Sequence, residues 1–313
     1  MRLFRTEFMN EQIDNAEYGG SSMANRRRRF GDRKDGRRLR TLDPIESLSP
    51  YIMVTRGDSL TYFVDKFETT EVDRYVRQKR SSGLEGFGIL HVIIAAYVRM
   101  LSQKPRINRF ISGQKIFARG KIEINMVIKK KLSANDAETV IKIYFEHADT
   151  AEDVYRRFED ALNAALAEDE NNIVGTARII NYIPGLFKKF TVWFLRLLDY
   201  FGLVPLSLLK VSPFHGSMFI TSLGSLGIPP VFHHLYNLGN VPVFLAFGAK
   251  RYENQIDDLG KVVKKKFIDY TFVTDERICD GFYYASGLKL FRAYLARPSV
   301  LDVAPLEIVS DID

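Results

Sequence analysis

Few side chains in this sequence are suited to covalent or acid–base chemistry. There is one cysteine, Cys279, and there are five histidines: His91, His147, His215, His233 and His234. A lone cysteine cannot form an internal disulfide or build a thiolate metal site. That makes the cytosol the default compartment. Cys279 has two readings, a nucleophile or a small buried residue in a loop, and the second is the commoner. His233 and His234 lack carboxylates or thiols at ligand spacing, so the pair does not read as a metal site; loop packing is the plain alternative to function. His91 falls within an apolar helical run and reads as a core residue. His215 stands six residues before Thr221 on the same face of a strand, about 20 Å away if that strand is straight. A compact group of mixed ionisable side chains is Thr274-Asp275-Glu276-Arg277-Ile278-Cys279-Asp280-Gly281, at the end of an apolar run. Glu276 is the carboxylate of interest there. Free Glu titrates near 4.3, and burial raises it. Arg277 would hold Glu276 ionised if the two paired, although neighbours on a strand point to opposite sides. The plain alternative is a surface or salt-bridged carboxylate.

These residues need elements to position them. Residues 42–70 show extended pieces around Pro44 and Pro50, with a strand over residues 61–68. A short charged helix covers 71–79. The run 84–103 is apolar nearly all round and reads as a helix buried between layers, stopped by Pro105. Short strands are expected at 116–118, 122–130 and 140–145. A helix follows over 150–167, with Thr150 as its N-cap. Over 184–201, Leu186, Phe187, Phe190, Trp193, Phe194, Leu197, Leu198 and Phe201 recur at helical spacing. Lys188, Lys189, Arg196 and Asp199 take the other face, and Pro184 sits just inside the start. Such a helix covers a core, makes a subunit contact or lies on a membrane surface. Strands return at 217–222, 241–250 and 267–273, and a helix over 281–296 closes the domain. There is no internal repeat, and no glycine-rich phosphate loop follows a strand.

Composition sets the class. The 313 residues are 46% hydrophobic and 27% charged, the balance of a globular chain with a large core rather than a disordered or collagen-like one. No uninterrupted apolar run is long enough for a clean transmembrane span. The net charge is +7. The run that opens at Arg26 and closes at Arg40, RRRRFGDRKDGRRLR, holds eight Arg, one Lys and two Asp and accounts for all of it. The remainder is neutral on balance, which argues against nucleic acid as a partner. The run reads as a solvated leader, an arm packed on a neighbour, or a contact for RNA, an acidic partner or an anionic membrane. Residues 1–22 are polar and aperiodic and no apolar segment follows the early arginines, so they do not read as a secretory signal; Met23 is a second candidate start. The expected organisation is a flexible basic arm at 1–41, one domain at 42–300 interrupted by an amphipathic insertion at 176–210, and a tail at 301–313.

Three short segments occur in a telling order: Pro105-Arg-Ile-Asn108 after the apolar helix, Phe219-Ile-Thr-Ser-Leu-Gly224, and Glu276-Arg-Ile-Cys-Asp-Gly281. Together they resemble the catalytic domain of the 2-oxoacid dehydrogenase dihydrolipoamide acyltransferases and, more distantly, chloramphenicol acetyltransferase, over roughly residues 60–297. The resemblance implies an α+β coenzyme-A-dependent acyltransferase fold, a mixed central sheet with packed helices and a channel for the pantetheine arm. It implies a homotrimer with the active site between subunits, coenzyme A or acyl-CoA as substrate, no metal and no covalent lipoyl group. Lipoyl and subunit-binding domains do not fit in the residues before the domain, so a stand-alone homologue is expected. In the family a histidine takes the thiol proton, a Ser or Thr hydroxyl donates to the oxyanion, and an Asp before Gly holds the loop. By position, Thr221 is the donor and Asp280 the structural carboxylate. Ser222 and Gly224 stand beside the cofactor, and the base position is Glu276, not His. The resemblance therefore implies acyl transfer between coenzyme A and an unidentified acceptor with a replaced base. The alternative is a catalytically inactive acyl-CoA-binding or scaffold protein.

Overall fold

A computed structural model describes residues 29–129, 138–167 and 184–312. In chain order the elements are β1 (Arg37–Arg38), α1 (Pro44–Ile52), β2 (Leu60–Glu68), α2 (Thr70–Ser81), α3 (Ile89–Gln103), β3 (Arg109–Ser112), β4 (Lys115–Ala118), β5 (Ile122–Lys129), β6 (Glu138–Phe145), α4 (Ala151–Ala167), α5 (Gly185–Tyr200), α6 (Leu206–Val211), β7 (Met218–Ser222), β8 (Val243–Ile256), β9 (Val262–Asp275) and α7 (Gly281–Ala296).

Six strands form one mixed sheet in the order β2-β9-β8-β7-β5-β6. The pairs β5–β7 and β7–β8 are parallel; the rest are antiparallel. Alternation along the central strands sorts side chains to two faces. Met218, Ile220, Val243, Leu245, Tyr270 and Phe272 enter the main core with α2, α3, α4 and α7. Phe244, Ala246 and Val273 face the other way, into a small cluster with Leu235. α3 lies at the centre of the main core, with twelve of its fifteen residues buried. α7 crosses it closely at Gly287, where an added Cβ would stand 2.5 Å from Ile107 Cδ1 and 3.4 Å from Met100 Sδ. The architecture is the α+β mixed sheet with packed helices that the sequence implied.

Several local expectations change. Residues 44–52, expected as extended, form α1: Asp43 caps it through Ile45 N, and Pro44 occupies the first turn, where a missing N–H is harmless. Pro184 is the N-cap of α5 and not its first helical residue. α3 begins at Ile89, because Gly88 is extended and its N–H donates to His91 Nδ1 at 2.9 Å. β8 and β9 run well beyond the apolar stretches that announced them. Past a bulge between Phe247 and Lys250 they continue as a charged ribbon, with Glu253 opposite Lys265. Residues 26–28, the GGSS stretch, Met23, Lys130 and residues 176–183 lie outside the described residues.

The basic run does not stay free over its described part. β1 pairs with β4 in a second sheet of order β1-β4-β3. Arg33 is buried: its Nε lies 2.8 Å from Asp35 Oδ1 and its Nη2 2.8 Å from Asp199 Oδ1. Its Nη1 donates to the Asp199 carbonyl and to Ser112 Oγ, each at 2.5 Å. Asp199 Oδ1 also lies 3.2 Å from His215 Nε2, and His215 Nδ1 lies 2.8 Å from Ser212 Oγ. Asn240 Nδ2 donates to Asp35 at 2.8 Å. Burial would raise the Asp35 carboxyl, but Arg119, Arg33 and Asn240 outweigh it and hold the group down at about 2. This network roots α5 on the body. At the same place the β3–β4 turn has positive φ at both Gly113 and Gln114, the two-residue hairpin geometry that favours glycine. A Cβ on Gly113 would stand 2.4 Å from the Tyr200 carbonyl oxygen.

Candidate functional site

The Glu276 loop is held from every side except one. β9 ends at Asp275, whose N–H donates to the Pro242 carbonyl at 2.9 Å. Arg277 folds back onto Asp275 and not onto Glu276, with Nε to Oδ1 at 2.8 Å and Nη2 to Oδ2 at 2.7 Å. This planar fork on a carboxylate is among the stronger ion-pair geometries, and both side chains are buried. Arg277 Nη1 continues to the Met53 carbonyl at 3.0 Å. Tyr284 Oη donates to the Asp275 carbonyl at 3.0 Å, and Arg109 Nη1 donates to that of Ile278 at 3.2 Å. Glu276 N donates to the Ser59 carbonyl at 2.8 Å. The Glu276 side chain is exposed, and Thr61 Oγ1 lies 3.4 Å from its Oε2. The result is a carboxylate presented outward from a rigid loop.

Asp280 is the N-cap of α7 and accepts from Tyr283 N at 2.7 Å. Cys279, beside it, is buried, and burial pushes its thiol well above the ordinary range, which does not suit a nucleophile. Pro105–Asn108 forms a short 3₁₀ turn after α3. Asn108 is buried there and its Nδ2 donates to the Lys121 carbonyl at 3.1 Å.

Thr221 lies elsewhere. It is half-buried on β7, in a row with Ala246 of β8 and Thr271 of β9. Glu276 comes five residues after Thr271, a run of about 17 Å along the strand, and two strand spacings separate the columns. Thr221 and Glu276 therefore stand toward opposite ends of the sheet, and one chain does not bring them together. Ser222 ends β7 and Gly224 opens a 3₁₀ turn at the Thr221 end. Within a single chain the Phe219–Gly224 and Glu276–Gly281 segments therefore do not meet.

The histidines sort without contact to Glu276. His91 is buried on α3, stacked on Phe87 and edge-on to Phe158. His233 stacks on Phe244 at 4.3 Å between ring centres, on the sheet's less covered face. His215 belongs to the Arg33 network described above. That network is the part of the molecule's charge chemistry that the sequence did not reveal, since nothing in a basic run marks one arginine as buried. Beside it opens a cavity of about 890 Å³, whose lining includes Arg40, Lys121, Tyr144, Leu206, Lys210 and His215. Neither Glu276 nor Thr221 lines it. Among the described residues, no group of three or more His, Cys, Asp and Glu is arranged to hold a metal ion.

By sequence the chain matches no known family and no curated protein. Solved structures share its architecture. A probable dihydrolipoamide acetyltransferase from Listeria monocytogenes superposes with a TM-score of 0.52 at 15% identity, over 82% of this chain and 94% of that one. The cubic core of a pyruvate dehydrogenase multienzyme complex gives 0.51 at 14% identity, over 92% and 96%. Chloramphenicol acetyltransferase gives 0.51 at 11% identity, over 82% and 99%. The fold is therefore chloramphenicol acetyltransferase-like. The likeness to dihydrolipoamide acyltransferase catalytic cores, first suggested by three short segments, holds at the level of the fold.

Proposed function

We propose that this protein transfers an acyl group between coenzyme A and an acceptor, in an assembly where Glu276 of one copy and Thr221 of another face the same thioester. The observation that supports this reading is the presentation of Glu276. It is the exposed side chain of a loop otherwise fixed by the Asp275–Arg277 fork and by backbone bonds, at the position where the resembled family has its base. A homotrimer, the assembly the resemblance implies, supplies the second copy and a wall that covers Glu276. In the reaction, Glu276 takes the proton of the attacking thiol. The thiolate adds to the acyl carbon, and the tetrahedral oxyanion accepts a hydrogen bond from Thr221. Collapse then expels the leaving thiolate, which takes that proton from Glu276. Asp280 acts only by capping α7 beneath the loop. Ser222 and Gly224, at the Thr221 end, are proposed to border the coenzyme.

The second reading is a non-catalytic acyl-CoA-binding or scaffold protein. It is favoured by the carboxylate itself: an ordinary Glu lies about four units below a thiol and is a weak base toward it. Release of free thiol from acetyl-CoA and longer acyl-CoAs decides between the two. Catalysis predicts turnover that falls by about 100-fold or more in Thr221→Ala and in Glu276→Gln. Tight acyl-CoA binding without turnover, with turnover gained by Glu276→His, establishes the second reading. Sedimentation is expected to show a trimer; a monomer at micromolar concentration removes the shared-site proposal.

A further inference from the structure

α5 is turned the wrong way for a core helix. Its residues with reduced exposure are Lys188, Thr191, Val192, Leu195, Leu198 and Asp199. They lie on one side, the side that meets the body. The aromatic stripe is on the opposite side and faces solvent: Leu186 is 79% exposed, Phe190 59% and Trp193 54%, and Phe187, Phe194 and Leu197 are exposed with them. The apolar surface runs on through Phe201, Leu203, Leu206 and Leu208. Together it exceeds the scattered apolar residues normal on a protein surface.

The charges are arranged around this surface. Lys189 and Arg196 flank the stripe on the Trp193 edge. The one acid of the helix, Asp199, is turned inward onto Arg33 and His215. Leu206, exposed at the end of the apolar surface, also lines the cavity beside the Arg33 network, where eight Arg and Lys outnumber four Asp and Glu and leave it basic on balance. A wide aromatic face edged by cations and bare of carboxylates complements a layer that is apolar inside and anionic at its rim. A second copy fits poorly. Two such helices laid face to face would set Lys189 and Arg196 against their like with no acid to answer, and the stripe is wider than a coiled-coil seam. Among the described residues no helix is long and apolar enough to cross a membrane, so the helix would lie along the surface.

We infer that α5, with the turn and α6 behind it, docks this protein onto an anionic membrane surface. The aromatic face enters the acyl-chain boundary, and Lys189, Arg196 and the rim of the basic cavity meet lipid phosphates. The inference does not rest on the reading of Glu276 and survives if that fails.

Trp193 is the only tryptophan of the chain, so intrinsic fluorescence reads this face directly. With the full-length protein, emission is expected to start at the long-wavelength, solvated limit. It should move to shorter wavelength on adding phosphatidylglycerol/phosphatidylcholine vesicles and be quenched by lipids brominated on the acyl chain. Phosphatidylcholine vesicles alone should bind at least about tenfold more weakly. The double change Lys189→Glu/Arg196→Glu should lower partition into anionic vesicles by about tenfold or more. Phe190→Asp/Phe194→Asp should abolish partition while leaving the circular dichroism spectrum and melting temperature unchanged. Four results would overturn the proposal: emission that ignores vesicles, emission already at short wavelength in buffer, a shift that follows protein concentration without lipid, or an equal shift with soluble polyglutamate. The last three would mean that another part of the chain, a second copy or an acidic protein covers the face.

Discussion

α3 and α5 are of nearly equal length and both are rich in apolar residues, yet they meet opposite fates. α3 buries twelve of fifteen residues; α5 buries one of sixteen, and that one is an aspartate. Apolar content alone therefore does not decide which helix goes inside. α3 is apolar around nearly its whole circumference and has the sheet on one side and α2, α4 and α7 on the others. α5 is apolar on one side only and is attached by the other, through an ionic root. One helix is held by area removed from water, the other by a charge network at its C-terminal end.

The sharpest way to break this contrast is at the root. Arg33→Ala leaves Asp35 and Asp199 buried without their guanidinium, and a loss of about 3–5 kcal/mol is expected in denaturant unfolding. The next effect separates the helices directly. Leu101→Ala in α3 should cost about 3 kcal/mol, whereas Phe190→Ala in α5 should change stability by less than about 0.5 kcal/mol, because its ring leaves no cavity behind. A smaller effect comes from acid. Burial holds His91 on α3 down at about 4, with Arg80 adding to the shift against the Gly88 hydrogen bond. The folded state thus binds fewer protons than the unfolded one below about pH 6.5. The His91 contribution is complete above that pH and is lost as pH falls toward 4, by about 2–3 kcal/mol. Unfolding free energies across this window should slope upward with pH, and His91→Gln should flatten the slope.

The legible parts of the sequence were those with a clean period. α3, α4, α5, α7 and the apolar halves of β8 and β9 all announce themselves by spacing, and α7 runs over the expected 281–296. The charged ribbon of β8 and β9 does not, because Lys250–Ile256 and Val262–Lys266 are mostly charged or polar and carry no regular alternation of apolar and polar residues. α1 was hidden by its prolines: Pro44 suits a first turn, but Pro50 stands inside the nine-residue helix, where proline ordinarily breaks one. At the candidate site, the loop around Glu276 could be read because a strand end, an N-cap and a helix follow one another in eight residues. The separation of Thr221 from Glu276 could not be read, because it depends on β7 running parallel to β8 and β9 running back. The long-range partners of Arg33 were out of reach for a similar reason: Ser112 ends β3 and Asp199 lies on α5, 79 and 166 positions away.

That pairing bears on how the molecule is made. Arg33 and Asp199 are separated by 166 positions. At about 5–20 residues per second of synthesis, the arginine must wait roughly ten to thirty seconds for its acid to be translated. Until then β1 can pair with β4 but Arg33 lacks its distant acid, and α5 is made before β7, β8, β9 and α7, which complete the sheet and its core. A lipid surface, if it is the destination, can meet that helix before the rest of the protein has closed behind it.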